Sequence, residues 1–325
     1  MNTDGMKAGH LKRFLNHPVS GPYIALILLF IFASIASPDI FFSFTNISNI
    51  LRQASIVGVV SIGMTVVLLV AGIDLSVTSV MAISACVFAH ISETYVDKGK
   101  SGAMIGLILL ILIIGLVIGF MNGLIIVTRD VEPFIITLGT GQVLRGINYI
   151  YTKGSPGGTV TKFWSDFGSK YFAGILPYSV ILYTVFMIIF IIFLHKTVPG
   201  RYIYAIGSNA EAARLSGIKV KKNKILAYAL CGLTASVAGI MLAARVRVGE
   251  PNGSTGFDMD AIAAVVIGGT AMSGGKGSII GTLAGVLIMA IMNNILNILG
   301  ADPYLQIVIK GCIILVAVLI QKKNK

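Results

Sequence analysis

Charge is what this sequence has least of. Only 12% of its residues are Asp, Glu, Lys or Arg, about half the share usual in a soluble domain. A soluble chain of 325 residues could not hide the matching apolar surplus, 56% of all residues at a mean hydropathy of +0.90. Lipid is therefore its natural solvent. Negative charge is the scarcest, with 13 acidic residues against 25 Lys and Arg. The net charge of +12 is not gathered into one long run with interleaved aromatics. That pattern excludes nucleic acid as a partner and fits a positive cytoplasmic face. Cysteine is nearly absent. Cys86, Cys231 and Cys312 lie apart in apolar stretches with no C-x-x-C spacing, so neither a disulfide framework nor a metal site is expected, and all three read as buried packing residues. His10, His17, His90 and His195 are scattered near segment ends. With no His/Asp/Ser triad, carboxylate pair or metal-spaced cluster, catalysis within the chain is not expected. No small-residue cleavage site follows Lys7, Lys12 and Arg13, so the apolar run from Tyr23 reads as an uncleaved first span.

What the sequence has in abundance is long apolar runs. A hydrocarbon core of about 30 Å needs roughly 20 residues of apolar helix. Ten runs qualify as candidates: 22–37, 54–71, 75–92, 103–127, 133–150, 178–195, 225–244, 259–272, 279–298 and 304–320. Spans two and three are parted only by "GID" and spans eight and nine by "SGGKGS". Short, glycine-broken segments are expected where helices stop inside a membrane and line a cavity. "VVLLVAGIDLSVTS" (66–79) and "AAVVIGGTAMSGGKGS" (263–278) echo one another faintly, as two halves of one plan would. The fold class is thus an all-α polytopic membrane protein of about ten transmembrane helices, some short or broken, in two related halves. The tails are 1–21 and 321–325, and the membrane domain is 22–320.

Charge sets the orientation. With the N-terminus in the cytoplasm, ten spans return the C-terminus there. The inside segments then hold about twice the Lys and Arg of the outside ones, led by Lys219, Lys221, Lys222 and Lys224. The longest outside loop is 151–177, rich in glycine and holding the single Trp164. The longest inside loop is 196–224.

That inside loop contains "IGSNAEAARLSGI". Ser208 and Glu211 form S-x-x-E, a capping box in which the hydroxyl accepts from the third amide and the carboxylate reaches back. Arg214 suits the negative end of the helix dipole and Gly217 the C′ position. The spacing predicts a two-turn helix over about 209–216, well below the length at which an isolated helix holds in water. It is either an ordinary loop helix or a docking helix whose Ala210, Ala212 and Ala213 admit a partner closely. Composition leaves both open.

Asp74 is the one ionisable residue between Arg52 and His90. A membrane carboxylate is a pathway candidate. It also suits the N-cap of the run that begins at Leu75, and the cap is the favoured reading. "SGGKGS" fails as a phosphate loop, because Gly275 stands where Lys is needed and Gly277 where Ser or Thr is needed. It reads as a tight cytoplasmic turn. Lys310 is expected to snorkel, and Arg145 is open between snorkelling and pairing. Asn122, Thr137 and Thr140 sit among apolar residues and suit helix packing.

Six stretches in order, "GMTVVLLVAGIDLSVTS", "PFIITLGT…RG", "YTKGSP", "GRYIYAIGSNAEAARLSGIKV", "DAIAAVVIGGTAMSGGKGSIIGTLAG" and "NNILNILG…PYLQIVIKG", resemble the permease subunit of bacterial monosaccharide ABC importers, the ribose permeases above all. The likeness runs from about Asn46 to the C-terminus, with Thr78 where the family usually has glycine. The resemblance implies a multi-pass bacterial inner-membrane protein. Two permeases pair, an ATPase subunit (often a tandem one) docks beneath, and a periplasmic sugar-binding protein delivers the monosaccharide above. ATP and Mg are held by the ATPase, so this chain binds no cofactor or metal and has no catalytic residue. The family's coupling segment falls on the loop holding Ser208, Ala210, Glu211, Ala212, Ala213, Arg214 and Gly217, which favours the docking helix. Asp74, Ser76, Asn122, Thr137, Thr140 and Arg145 are the candidate pathway or broken-helix positions. Ala210, Ala213 and Arg214 are expected to make contact; Ser208, Glu211 and Gly217 are expected to hold the shape. The competing class is a self-sufficient secondary transporter or channel, for which Asp74, Arg145 and Lys310 would be the available charges. A membrane enzyme is the weakest reading.

Overall fold

The computed structural model describes residues 20–93 and 101–323. Among them are fourteen helices and one two-stranded hairpin. In chain order the helices are α1 (Ser20–Ala36), α2 (Pro38–Phe41), α3 (Phe44–Leu69), α4 (Val77–Ile91), α5 (Ser101–Arg129), α6 (Pro133–Thr152), α7 (Lys162–Ser169), α8 (Tyr178–Lys196), α9 (Val198–Ser208), α10 (Ala210–Leu215), α11 (Val220–Val246), α12 (Phe257–Ile267), α13 (Ile279–Ile298) and α14 (Pro303–Lys323). The hairpin, β1 (Tyr171–Phe172) and β2 (Leu176–Pro177), lies in loop 151–177 with α7.

Every expected span falls on a helix, and five helices are long and apolar enough to cross a membrane: α3, α5, α8, α11 and α13. Among the boundaries that differ, two have a physical reason in the structure. α3 begins ten residues before the expected 54, because Ser43 caps it by accepting from the Asn46 amide. Its polar first turns are compensated. The Arg52 guanidinium donates to the Ser169 carbonyl and lies 4.5 Å over the Tyr171 ring. α12 stops at Ile267 rather than 272, where the glycine-rich segment takes the backbone through left-handed turns.

α11 is the centre of the bundle and packs on α5, α3 and α4. Lipid tails are as apolar as leucine, so close backbone approach must hold membrane helices together. Gly115, Gly119 and Gly123, four apart on α5, supply it. A Cβ at each would strike the backbone or side chains of Gly232, Ser236, Tyr228 and Ile225 on α11. Most of α3 and α11 is buried, 83% and 78% of their apolar windows, against 22% for α5 and α8. The first pair is therefore interior. Outer helices present Leu28 and Ile35 (α1), Ile105 and Ile113 (α5), Ile188 and Ile192 (α8), and Leu315 (α14) outward. Of the cysteines, Cys86 and Cys231 are buried, but Cys312 is exposed on the outer helix α14, contrary to expectation.

Contacts sort the connections onto two sides. On one, the Tyr23 hydroxyl donates to the Ile280 carbonyl, and the ends of α3 and α9 meet residues 274–277. On the other, Phe44 meets Tyr171, Tyr149 donates to Asn252, and Gly157 pairs with Gly249. The echoing stretches both close with the same two-bond Schellman turn. Ala71 and Gly72 donate to Leu68 and Val67, and Gly269 and Thr270 donate to Val266 and Val265. The left-handed residue is Ala71 (φ 58°) in one and Gly269 (φ 90°) in the other.

Candidate coupling and pathway sites

Helix α10 is capped, but not by the expected residues. Its N-cap is Asn209, whose Oδ1 accepts from the Ala212 amide at 2.9 Å. Ser208 instead ends α9, and its hydroxyl donates back to the Tyr204 carbonyl. The capping box fails because two cap-forming residues stand side by side and Asn209 takes the extended backbone a cap needs, φ −162°. Glu211 consequently does not reach back. It accepts a two-pronged pair from Arg214 at 2.6 and 2.9 Å, which lowers its pKa. At the other end Gly217 is left-handed (φ 82°). The Ile218 amide donates to Ala213 and the Gly217 amide to Arg214, a full Schellman motif. Ala213 is buried against the bundle, so it is not available to a partner as expected. The outward surface of α10 is Ala210, Glu211, Ala212, Arg214 and Leu215, the last 73% exposed.

The candidate pathway residues fall into two groups. Asp74, Ser76, Asn122 and Thr137 converge, all buried, around the irregular segment 70–76 between α3 and α4. Asp74 is not the N-cap of α4. Helix α4 begins at Val77, and the residue before it, Ser76, makes no side-chain cap. Its hydroxyl is diverted, donating to Asp74 Oδ1 at 2.6 Å and accepting from Asn122 Nδ2 at 2.9 Å. The Ser76 amide also donates to Oδ1, at 2.9 Å. Asp74 thus closes an Asx turn two residues ahead of the helix. The Cys231 thiol lies against the same carboxyl. Thr137, one turn into α6, donates to Pro133 at 2.9 Å and reaches the Ile73 carbonyl at 3.4 Å. Three elements therefore grip the segment.

Thr140 lies one turn along α6, half-buried and outside this network. Arg145 is further on, half-buried in a small cleft lined by Thr78, Ser79, Pro251 and Ser254. There Ser79 donates to the Gly141 carbonyl and Ser254 to the Thr78 carbonyl.

Three features escaped sequence reasoning. Lys310 does not snorkel. Its Nζ pairs with Asp260 on α12, at 3.0 and 3.1 Å from the two oxygens. Opposite charges in two apolar runs were the signal, since charges inside a membrane bundle pair. Gly207 and Gly275 meet backbone to backbone at the end of α3, and the Tyr204 hydroxyl donates to the Gly277 carbonyl at 3.0 Å. "SGGKGS" is therefore a packed junction and more than a turn. No sequence pattern marked these contacts, because they join segments that are remote in the chain.

The family profile described as branched-chain amino acid transport system / permease component matches residues 46–318. The ribose import permease RbsC of Bacillus subtilis is 44% identical over 310 residues, 94% of this chain and 92% of its own. RbsC of Escherichia coli K12 is 43% identical over 306 residues, 93% of each chain. The galactose/methyl galactoside import permease MglC of that strain is 34% identical over 325 residues, 96% of this chain and 97% of its own. No solved structure matches. A helical chain with five membrane-length helices among its described residues, matched over more than nine-tenths of its length by import permeases, has one consistent assignment: it belongs to this transport-system permease family.

Proposed function

We propose that this chain is the membrane-spanning subunit of an ATP-driven importer that moves a monosaccharide, ribose first, delivered by a periplasmic binding protein. Two copies form the pore in the bacterial inner membrane, each with ten spans and both termini in the cytoplasm. A separate ATPase subunit binds ATP and Mg and docks on α10. The observation that carries this reading is α10 itself. It has six residues, too few to hold alone in water, yet it is fixed at both ends by the Asn209 cap and the Gly217 Schellman motif. Five of its six side chains face outward, in the most basic loop of the chain. The identity to ribose permease sequences supports the sugar class. The Asp74 segment and the Arg145 cleft are the parts we assign to the pathway.

Reconstitution tests it. The chain in proteoliposomes should take up radiolabelled ribose only with the ATPase, the binding protein and ATP all present. Glu211→Lys combined with Arg214→Glu should abolish uptake and ATPase co-purification while leaving insertion intact. Uptake by the chain alone would replace the proposal with a secondary transporter or channel.

A further inference from the structure

We propose that Gly207 is a positioning residue in a three-way backbone joint that ties movement of α10 to the two chain reversals at 70–76 and 268–278. The inference rests on α10 being the ATPase-docking element and extends that reading inward.

The joint is built without side chains. Gly207 is two residues before the α10 cap, at the end of α9. A Cβ there would overlap the Leu69 carbonyl and the Gly275 amide, which are themselves hydrogen-bonded at 3.0 Å. Gly275 is left-handed (φ 74°), and a Cβ on it would lie 2.6 Å from the Ser208 amide nitrogen. A Cβ on Gly274 would lie 2.9 Å from the Ala71 amide nitrogen and 3.0 Å from the Gly207 Cα. Tyr204, one turn earlier on α9, adds its bond to Gly277.

Contacts of this kind transmit displacement without slack. Two side chains in contact can absorb a shift by changing rotamer; two backbones in contact cannot. Leu69 is the last residue of α3 and leads directly into the segment that holds Asp74. Gly275 leads through Gly277 into α13, whose N-cap is Ser278. A push on α10 therefore reaches both reversals through one point, and the segment between the two families of contacts, 70–76, is gripped by the same network that holds Asn122 and Thr137.

The test uses the full complex with ATPase and binding protein in proteoliposomes. Gly207→Ala should leave ATPase co-purification at normal yield and basal ATP hydrolysis unchanged. Uptake and sugar-stimulated hydrolysis should fall about ten-fold, within the range of ordinary coupling energies. Tyr204→Phe keeps the backbone packing and removes one hydrogen bond, so it should show the same signature at about two- to five-fold. This second variant carries the test if Gly207→Ala does not fold. Normal stimulation and uptake in either folded variant would overturn the joint. So would loss of uptake in proportion to loss of ATPase binding, because Gly207 would then only shape α10. Normal ATPase binding by the Glu211→Lys/Arg214→Glu pair would instead overturn the docking assignment, a separable result.

Discussion

Replacing Asp74 separates a structural carboxylate from a working one. Asp74 Oδ1 accepts two hydrogen bonds, from the Ser76 amide at 2.9 Å and the Ser76 hydroxyl at 2.6 Å. Both are fully buried, and a hydrogen bond to a charged group contributes about 1.5–3 kcal/mol. Asp74→Ala removes both bonds and strands a buried amide, although the hydroxyl can turn to another acceptor. The loss should be about 3–5 kcal/mol, a large fraction of a typical total of about 5–15 kcal/mol. Asp74→Asn keeps an oxygen acceptor in the Oδ1 place and puts an amide NH2 where Oδ2 has no hydrogen-bond partner, so it should cost about 1–3 kcal/mol, less than Ala. Detergent-solubilised protein, heated and assayed for monodisperse material, should show Ala melting well below wild type and Asn between the two. Uptake should follow the same order. A wild-type melting curve for Asp74→Ala would refute the network. A stable, correctly inserted Asp74→Asn without uptake would show that the charge itself works in the pathway.

Lys310→Met leaves the Asp260 carboxylate buried without its cation; breaking such a pair costs about 3–5 kcal/mol when fully buried, and less here because the Lys310 side chain keeps 27% exposure. A Lys310→Met/Asp260→Leu double variant should recover most of the lost melting temperature, and an additive double loss would contradict the pairing. A Cβ at Gly217 meets nothing within 4 Å, so the main penalty of Gly217→Val is the left-handed backbone, about 1–2 kcal/mol for a side chain with Cβ and more when it is β-branched. It should fray the Schellman turn and lower the amount of ATPase that co-purifies; normal yield would count against α10 as the dock.

Element positions were legible because a membrane span must be apolar along its length, and nothing else in the chain is. Span nine, 279–298, coincides with α13 residue for residue. What the pattern missed was polar helix. The first turns of α3 carry Asn46, Asn49, Arg52 and Gln53, and they are helical because loop 151–177 folds back to receive Arg52. Helices α2, α7 and α9 were likewise hidden inside segments that read as loops. Among the candidate site residues, polarity in an apolar setting picked out Asp74, Ser76, Asn122 and Thr137, and these do meet. Their roles were not legible, because a cap depends on backbone angles. Ser208 and Asn209 are both good caps by type, and φ at Asn209 chose between them. Gly207 and Gly275 were invisible for the converse reason. A glycine carries no chemistry to notice, and its value here is the side chain it lacks.

Helix length indicates where such a molecule can move. α4 and α12, of 15 and 11 residues, reach only about 22 and 16 Å, short of a hydrocarbon core of about 30 Å. Each adjoins a segment whose backbone groups are satisfied from other elements: Ile73 by Thr137 and Gly277 by Tyr204, with the Leu69 carbonyl at the end of α3 taken by Gly275. Irregular backbone is tolerated in a membrane protein only under such cover. A helix ladder such as that of α3 or α11 breaks only cooperatively, whereas each of these bonds stands alone at about 1 kcal/mol. A change in access that left the long helices intact would have to move these segments, and the backbone contacts at Gly207 would carry Leu69 and Gly275 together. All three bonds lie within a few residues of the Gly207 joint or the Asp74 turn. The proposed docking helix and the proposed pathway segment are therefore neighbours in the fold, linked through the Gly207 joint instead of a continuous helix.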